Sequence, residues 1–342
     1  MTYQEVLENA RKTIKNCKAC PECNGLGCGG TMPGPGSKAG GAHENWKAWR
    51  NIRLNIDTFA PNTNVDTTFR LFGSEFSMPL MTGPIGTLLQ YSDTDVTVDF
   101  NDGVMKAAKE HGIINCFGDG LAPQTVPGAL ASIEKYGVAS IPVLNPMPNE
   151  SIIRTMEAVE KSSAFAVAVV VDSAGLGIWN KLGSGGMGSK TVDDLKLLKS
   201  HTKKPFIVKG IMTARAAEHA LEAGADAIIV SNHGGRVLAD APATAAVLPE
   251  IVKAVDKRTV VIVDGGIRSG GDIFKALALG ADAALICRPF ATTWFGGGSE
   301  GVGVYIEKLH KELVEAMYMC GARSLADIRP DMIRFKHSQL ER

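Results

Sequence analysis

Nowhere does this 342-residue sequence hold an apolar run near the ~18 residues needed to span a bilayer, so no membrane-crossing helix is expected. It also lacks an excess of either charge. Its 36 Lys+Arg balance 36 Asp+Glu, which excludes the basic stripe of a nucleic-acid binder. The first residues, Met1-Thr2-Tyr3-Gln4-Glu5-Val6-Leu7, lack the basic stretch and apolar core of a secretory leader. Seven cysteines, an odd number in a large chain, argue against a disulfide framework. No internal repeat is visible beyond an alternation of short apolar runs and amphipathic stretches. These absences predict a cytoplasmic protein whose partner is a small-molecule substrate, with no nucleic acid and no membrane.

What is present is a large apolar fraction, 45%, enough for a substantial core. Apolar runs that read as buried strands fall at 79–82, 113–116, 140–144, 166–171, 206–209, 227–231, 260–264 and 283–286. Amphipathic stretches lie between them, among them 151–160, 192–200, 214–223, 246–255 and 273–279. Thr191-Val192-Asp193-Asp194 carries a helix-start signature, and Gly224 and Gly280 stop helices just before strands. Eight such alternations predict the α/β class and a (β/α)8 TIM barrel over residues 78–342. A Rossmann-like open sheet is the alternative, weakened because the chemistry-bearing residues follow several different strands. Residues 1–77 form an extension: a helix over 3–15, a Cys-, Gly- and Pro-rich stretch over 17–41, and a polar segment to Phe72. The last part of the chain reads as helical at 309–319 and 324–328.

The chemistry-bearing residues cluster after the later strands. Ser231-Asn232-His233-Gly234-Gly235-Arg236 follows the sixth run. It sets a base that titrates near neutral pH beside a permanent cation, with glycines that let a ligand approach. A lone histidine here would more often be structural; the room left by the glycines and the carboxylate fork of Arg236 favour catalysis. Lys209 ends the fifth run, where a lysine is costly to bury unless it faces an anion. Asp264-Gly265-Gly266-Ile267-Arg268 and Cys287-Arg288-Pro289 follow the seventh and eighth runs, where barrels bind phosphate groups.

Together with Lys209-Gly210-Ile211, the stretch Phe274-Lys275-Ala276-Leu277-Ala278-Leu279-Gly280-Ala281 and the tail Met319-Cys320-Gly321-Ala322-Arg323-Ser324-Leu325, these motifs resemble the FMN-dependent α-hydroxy acid oxidases and dehydrogenases, which include glycolate oxidase and lactate oxidase. The resemblance is dense over 206–328 and thin before that. It implies an oxidoreductase that takes a small 2-hydroxy acid or related alcohol to its oxo product, with flavin as hydride acceptor. His233 would be the base, Asp172 its carboxylate partner and Arg236 the holder of the substrate carboxylate. Lys209 would stabilise charge on reduced flavin. Pro84, Ile85, Gly86, Ser231, His233, Gly234 and Asp264 would touch the flavin, and Gly266, Arg268, Cys287 and Arg288 its phosphate. A homotetramer is also implied; the electron acceptor is left open.

The chain departs from that pattern in several places. Trp179 stands where a second carboxylate-binding arginine is expected, Leu144 where a tyrosine is expected after the third strand, and Cys287 where glycine is usual. An N-terminal substrate-touching tyrosine has no counterpart, and the segment holding Gly183-Ser184-Gly185-Gly186-Met187-Gly188 is short for the family's lid. An FMN-dependent non-redox isomerase of the same barrel class, or a flavin electron-relay protein, is the alternative function. Cys17, Cys20, Cys23 and Cys28 form C-x2-C-x2-C-x4-C, which could ligate zinc or an iron–sulfur cluster. The other reading is a glycine-rich loop of ordinary reduced thiols.

Overall fold

The structure, a computed structural model, describes residues 1–26, 28, 40–120, 122–175 and 187–336. Eight parallel strands form one sheet: β1 (Leu80–Thr82), β2 (Asn115–Gly118), β3 (Ser140–Leu144), β4 (Val167–Val170), β5 (Phe206–Ile211), β6 (Ala227–Val230), β7 (Val260–Val263) and β8 (Ala283–Ile286). Each pairs with its neighbours in chain order, and β8 returns to pair with β1. A bridge between Met81 and Ile114 closes the ring. A helix follows every strand, from Thr97–Glu110 after β1 to Arg288–Met319 after β8. This is the (β/α)8 barrel predicted from the pattern. The strands read as unbroken apolar runs because helices cover their outer face and side chains fill the inner one.

The alternation within each strand divides the core. Ile141, Val143, Ala168, Val170, Ile207, Ile229, Ile262 and Leu285 fill the barrel interior, while Leu144, Val167, Val169, Val208 and Ile228 pack outward against the helices. Thr191 and Asp194 form a reciprocal capping box, and Gly224 and Gly280 take left-handed φ values of +81° and +98°.

Several expectations move. The second strand lies at Asn115–Gly118, later than the run 113–116, because polar Asn115 and Gly118 mask its end. The polar segment before Phe72 holds an ordered helix, Gly40–Arg50. It also holds a strand, Ile52–Leu54, paired antiparallel with Ile333–Phe335, and a hairpin of Phe69–Leu71 with Ser74–Phe76. The hairpin's Phe69, Leu71 and Phe76 join the interior core. The C-terminal helical reading becomes one element, Arg288–Met319, broken locally at Gly298 (φ +55°), then a 3₁₀ turn at Leu325–Asp327. Among the described residues no helix is long and apolar enough to cross a membrane.

Candidate active site

Continuing each strand's inward parity one step past its C-terminal end gives the ring of residues that roofs the barrel. Gly83, Gly118, Asn145, Asp172, Ser231, Asp264 and Cys287 occupy that layer, with Lys209 at the end of β5's inward row. Lys209 is buried, and its Nζ donates to Ser231 Oγ at 2.6 Å and pairs with Asp264 Oδ2 at 3.1 Å. Ser231 Oγ donates in turn to Asp264 Oδ2 at 2.9 Å. Burial works against the lysine's charge, but Asp264 and Asp172 outweigh it and hold its pKa above the ordinary value.

His233 is placed by an unusual backbone. It sits at φ +57°, followed by Gly234 at +67° and Gly235 at +78°. A non-glycine residue in the left-handed region is held there by its surroundings. The His233 N–H donates to Ser231 Oγ at 3.0 Å, and its Nδ1 lies 3.0 Å from Asp172 Oδ1. Asp172 is itself largely enclosed. Burial raises its pKa, yet His233 and Lys209 more than reverse this, so the carboxyl stays below its usual range.

One cavity joins these groups. Of the residues singled out from the sequence, Pro84, Ile85, Gly86, Lys209, His233, Gly234, Arg236, Asp264, Gly266, Arg268, Cys287 and Arg288 all line it. Ser231 and Asp172, in the same ring, bind Lys209 and His233. At the far end Arg268 donates from Nε to the Cys23 carbonyl at 2.8 Å and from Nη1 to the Ile267 carbonyl at 2.6 Å. Its buried Nη2 and the buried Oδ1 of Asp264 have no hydrogen-bond partner among the described residues. The Cys287 thiol donates to the Pro84 carbonyl at 3.3 Å, and burial pushes its pKa up to about 11, so it stays protonated.

Two readings are corrected. Leu144 does not occupy the substrate side: it packs in the outer core, and Asn145, of opposite parity, faces the cavity instead. A tyrosine does reach the cavity, but it is Tyr91, from the loop after β1, whose buried hydroxyl has its pKa raised to about 12. Trp179 and 183–186 lie outside the described residues.

Sequence reasoning missed the helix Gly40–Arg50. Asn45 Nδ2 donates to Asn232 Oδ1 at 2.7 Å, and Asn232 Nδ2 donates back to Asn45 Oδ1 at 3.0 Å. Trp49 Nε1 donates to the Gly265 carbonyl at 2.7 Å. A Cβ on Gly266 would lie 2.5 Å from the Asn45 backbone, and one on Gly235 would lie 2.2 Å from that of Gly41, so both loops need glycine to receive this helix. The two tryptophans in Trp46-Lys47-Ala48-Trp49 were the available signal.

Cys17, Cys20, Cys23 and Cys28 line a second cavity whose wall includes Tyr91, Arg268 and Arg288, all three shared with the first. Among the described residues no three His, Cys, Asp or Glu side chains group so as to hold a metal ion, which leaves both the zinc and the iron–sulfur reading of these cysteines unsupported.

The comparisons agree with this geometry. A stretch of 145 residues is 50% identical to 2-hydroxyacid oxidase of Dictyostelium discoideum, covering 42% of this chain and 37% of that protein. Over 138 residues the chain is 50% identical to an L-lactate oxidase of Nostoc sp., covering 40% and 38%. The chain thus aligns with well under half the length of these curated relatives. A crystal structure of mandelate oxidase with 3,3-difluoro-2-hydroxy-3-phenylpropionic acid superposes with a TM-score of 0.78 at 25% identity, covering 96% of this chain and 97% of that one. The family profile described as FMN-dependent dehydrogenase matches residues 35–181 and 172–335, so the whole barrel and its sealing helix carry the pattern, and the chain belongs to the FMN-dependent dehydrogenase family.

Proposed function

We propose that this chain oxidises a small 2-hydroxy acid, or a related alcohol, to its oxo product. The observation that carries this is His233 Nδ1 held 3.0 Å from Asp172 Oδ1 in the wall of a cavity shared with Arg236 and Lys209. With Nδ1 engaged, Nε2 is left to take a proton from the substrate, and Asp172 stabilises the imidazolium that results. Arg236 offers its planar fork to the substrate carboxylate.

The residues fit FMN. The unpartnered Arg268 Nη2 and Asp264 Oδ1 are buried polar atoms that require a partner, and both belong to side chains lining this cavity. Arg268, Arg288, Gly266 and the backbone of Cys287, at the start of helix Arg288–Met319, would hold its phosphate. Ser231 and Asp264 would meet the ribityl chain, Pro84, Ile85, Gly86 and Gly234 the ring, and Lys209 the ring's electron-rich edge. Bound FMN supplies the two-electron acceptor. The oxidase names of the relatives favour net oxidation over the isomerase and relay readings.

An anaerobic screen of 2-hydroxy acids against the flavin-loaded protein tests this. Bleaching of the flavin absorbance by at least one of them is expected; a loaded flavin that none of them, nor related alcohols, reduces would overturn the reading.

A further inference from the structure

We propose that Tyr91 is the second anchor for the substrate carboxylate, its hydroxyl donating a hydrogen bond to the group that Arg236 holds. This anchor rests on the 2-hydroxy acid reading above and adds to it a residue that no motif in the sequence marks.

Tyr91 belongs to the loop between β1 and the helix Thr97–Glu110. It lines the same cavity as His233 and Arg236 and is only 7% exposed. A buried tyrosine hydroxyl ordinarily finds a partner. Among the described residues this one makes no hydrogen bond, so it is a donor left over on a cavity wall. Burial raises its pKa to about 12, against the pull of Arg288 and Arg236, and the group stays a neutral O–H at neutral pH.

Arg236 has the matching need. It too makes no hydrogen bond or ion pair among the described residues, although burial depresses its pKa. A guanidinium in such a place calls for an anion. A carboxylate offers about four lone-pair sites, of which one guanidinium fork fills about two. A neutral hydroxyl fills a third without adding another positive charge beside Arg236 and Arg288, which already repel each other. The phosphate end is better supplied, with Arg268, Arg288, Gly266 and the start of the helix Arg288–Met319 to serve it. The unmet demand for donors is therefore on the substrate side.

The N-terminal extension fixes Tyr91 there. The Tyr91 N–H donates to the Leu88 carbonyl at 2.8 Å, and the N–H of buried Leu88 donates to Thr97 Oγ1 at 3.0 Å. The Lys15 N–H donates to the Tyr91 carbonyl at 2.8 Å, Asn16 Nδ2 donates to the Gln90 carbonyl at 3.0 Å, and Lys15 Nζ pairs with Asp93. Asn16 reaches Gln90 from a left-handed backbone, φ +54°, which asparagine tolerates better than most residues. The turn after the helix Tyr3–Thr13 thus clamps the tyrosine's backbone.

The test is pyruvate binding to the FMN-loaded full chain, measured by isothermal titration calorimetry in wild type and Tyr91→Phe. Losing one hydrogen bond to a charged group should weaken pyruvate roughly 10- to 100-fold, with FMN content and melting temperature near wild type. Pyruvamide, which lacks the charge, should lose much less; an equal loss would place the hydroxyl on the 2-oxo oxygen and overturn the carboxylate anchor. Unchanged pyruvate affinity in Tyr91→Phe would overturn it as well, and so would a wild type that binds no pyruvate. Loss of FMN would assign the hydroxyl to the cofactor and overturn it too. Asn16→Gly keeps the backbone conformation but releases Gln90, and should weaken pyruvate by a smaller factor. Added to Tyr91→Phe it should change nothing further; an equal effect with and without the hydroxyl would break the link between clamp and anchor. Anaerobic bleaching separates the two readings. Tyr91-dependent pyruvate binding beside a flavin that no 2-hydroxy acid reduces keeps the anchor and defeats the oxidation, whereas bleaching with unchanged affinity in Tyr91→Phe does the reverse.

Discussion

Asn45 and Asn232 form a reciprocal amide pair, at 2.7 and 3.0 Å, that ties the helix Gly40–Arg50 to the loop carrying His233. Asn45 Oδ1 also accepts from the Thr244 N–H at 3.0 Å, and Asn232 Oδ1 from the Gly235 N–H at 2.9 Å. All of these groups are buried, so Asn45→Ala strands the Thr244 N–H, while Asn232 keeps the Gly235 N–H and the Pro242 carbonyl. The expected loss is about 1–3 kcal/mol of stability, from one unsatisfied buried group. Chemical denaturation with and without FMN should show it; a loss below about 0.5 kcal/mol would mean that the helix does not hold the loop.

The His233–Asp172 pair is expected to separate flavin binding from flavin reduction. His233→Asn keeps a polar side chain of similar reach but cannot take up a proton at neutral pH. Flavin reduction by substrate should slow by roughly 10²–10⁴-fold while FMN content is unchanged. Stopped-flow absorbance under anaerobic conditions reads this directly. Because the folded-state pKa of Asp172 is depressed, its contribution to stability is full above the ordinary carboxylate range and fades as pH falls through the folded value. The stability gap between wild type and Asp172→Asn should therefore narrow in acid.

Asp119 carries the opposite sign. Burial pushes its pKa up to about 6, against hydrogen bonds from the Asn145 N–H at 2.9 Å and Asn145 Nδ2 at 2.5 Å. A raised folded-state value means that stability is full below the ordinary carboxylate pKa and is lost as pH rises through about 6. The shift corresponds to about 3 kcal/mol. Relative to wild type, Asp119→Asn should gain that amount between pH ~4 and ~7 in urea titrations, and a pH-independent difference would count against the buried carboxyl. Since Asn145 lines the cavity, kcat/KM should follow the same titration.

Much of the fold was legible because burial on both faces turns each barrel strand into a compact apolar run followed by a helix signature. The roof of the barrel was legible where charge met that run, as at Lys209, Asp264 and Asp172. Asn145 was lost to Leu144 because only strand parity, not residue type, tells inward from outward there. The helix Gly40–Arg50 was hidden because it buries Asn45 and Trp49 against loops rather than presenting an apolar stripe to a sheet, and its start follows a glycine- and proline-rich stretch. Tyr91 was invisible for a related reason: a loop residue far from the motifs reaches the cavity only through tertiary packing.

Gly210 offers the sharpest test of how tightly the site is built. It sits at φ +109°, and a Cβ there would lie 2.7 Å from Asp172 Cβ and 2.8 Å from its backbone nitrogen. Neither atom is the end of a flexible chain, so Gly210→Ala must move the carboxylate that orients His233 and must strain β5 at the same time. The substitution should cost about 1–3 kcal/mol of stability from the backbone alone. A displacement near 1 Å at the histidine is worth roughly 10²-fold in rate. FMN should remain bound, since Arg268, Arg288 and Gly266 are on other strands' loops. The informative measurement is the rate of flavin reduction at saturating substrate alongside the melting temperature. A variant that melts early yet reduces flavin at the wild-type rate would show that the Asp172–His233 contact does not set the chemistry.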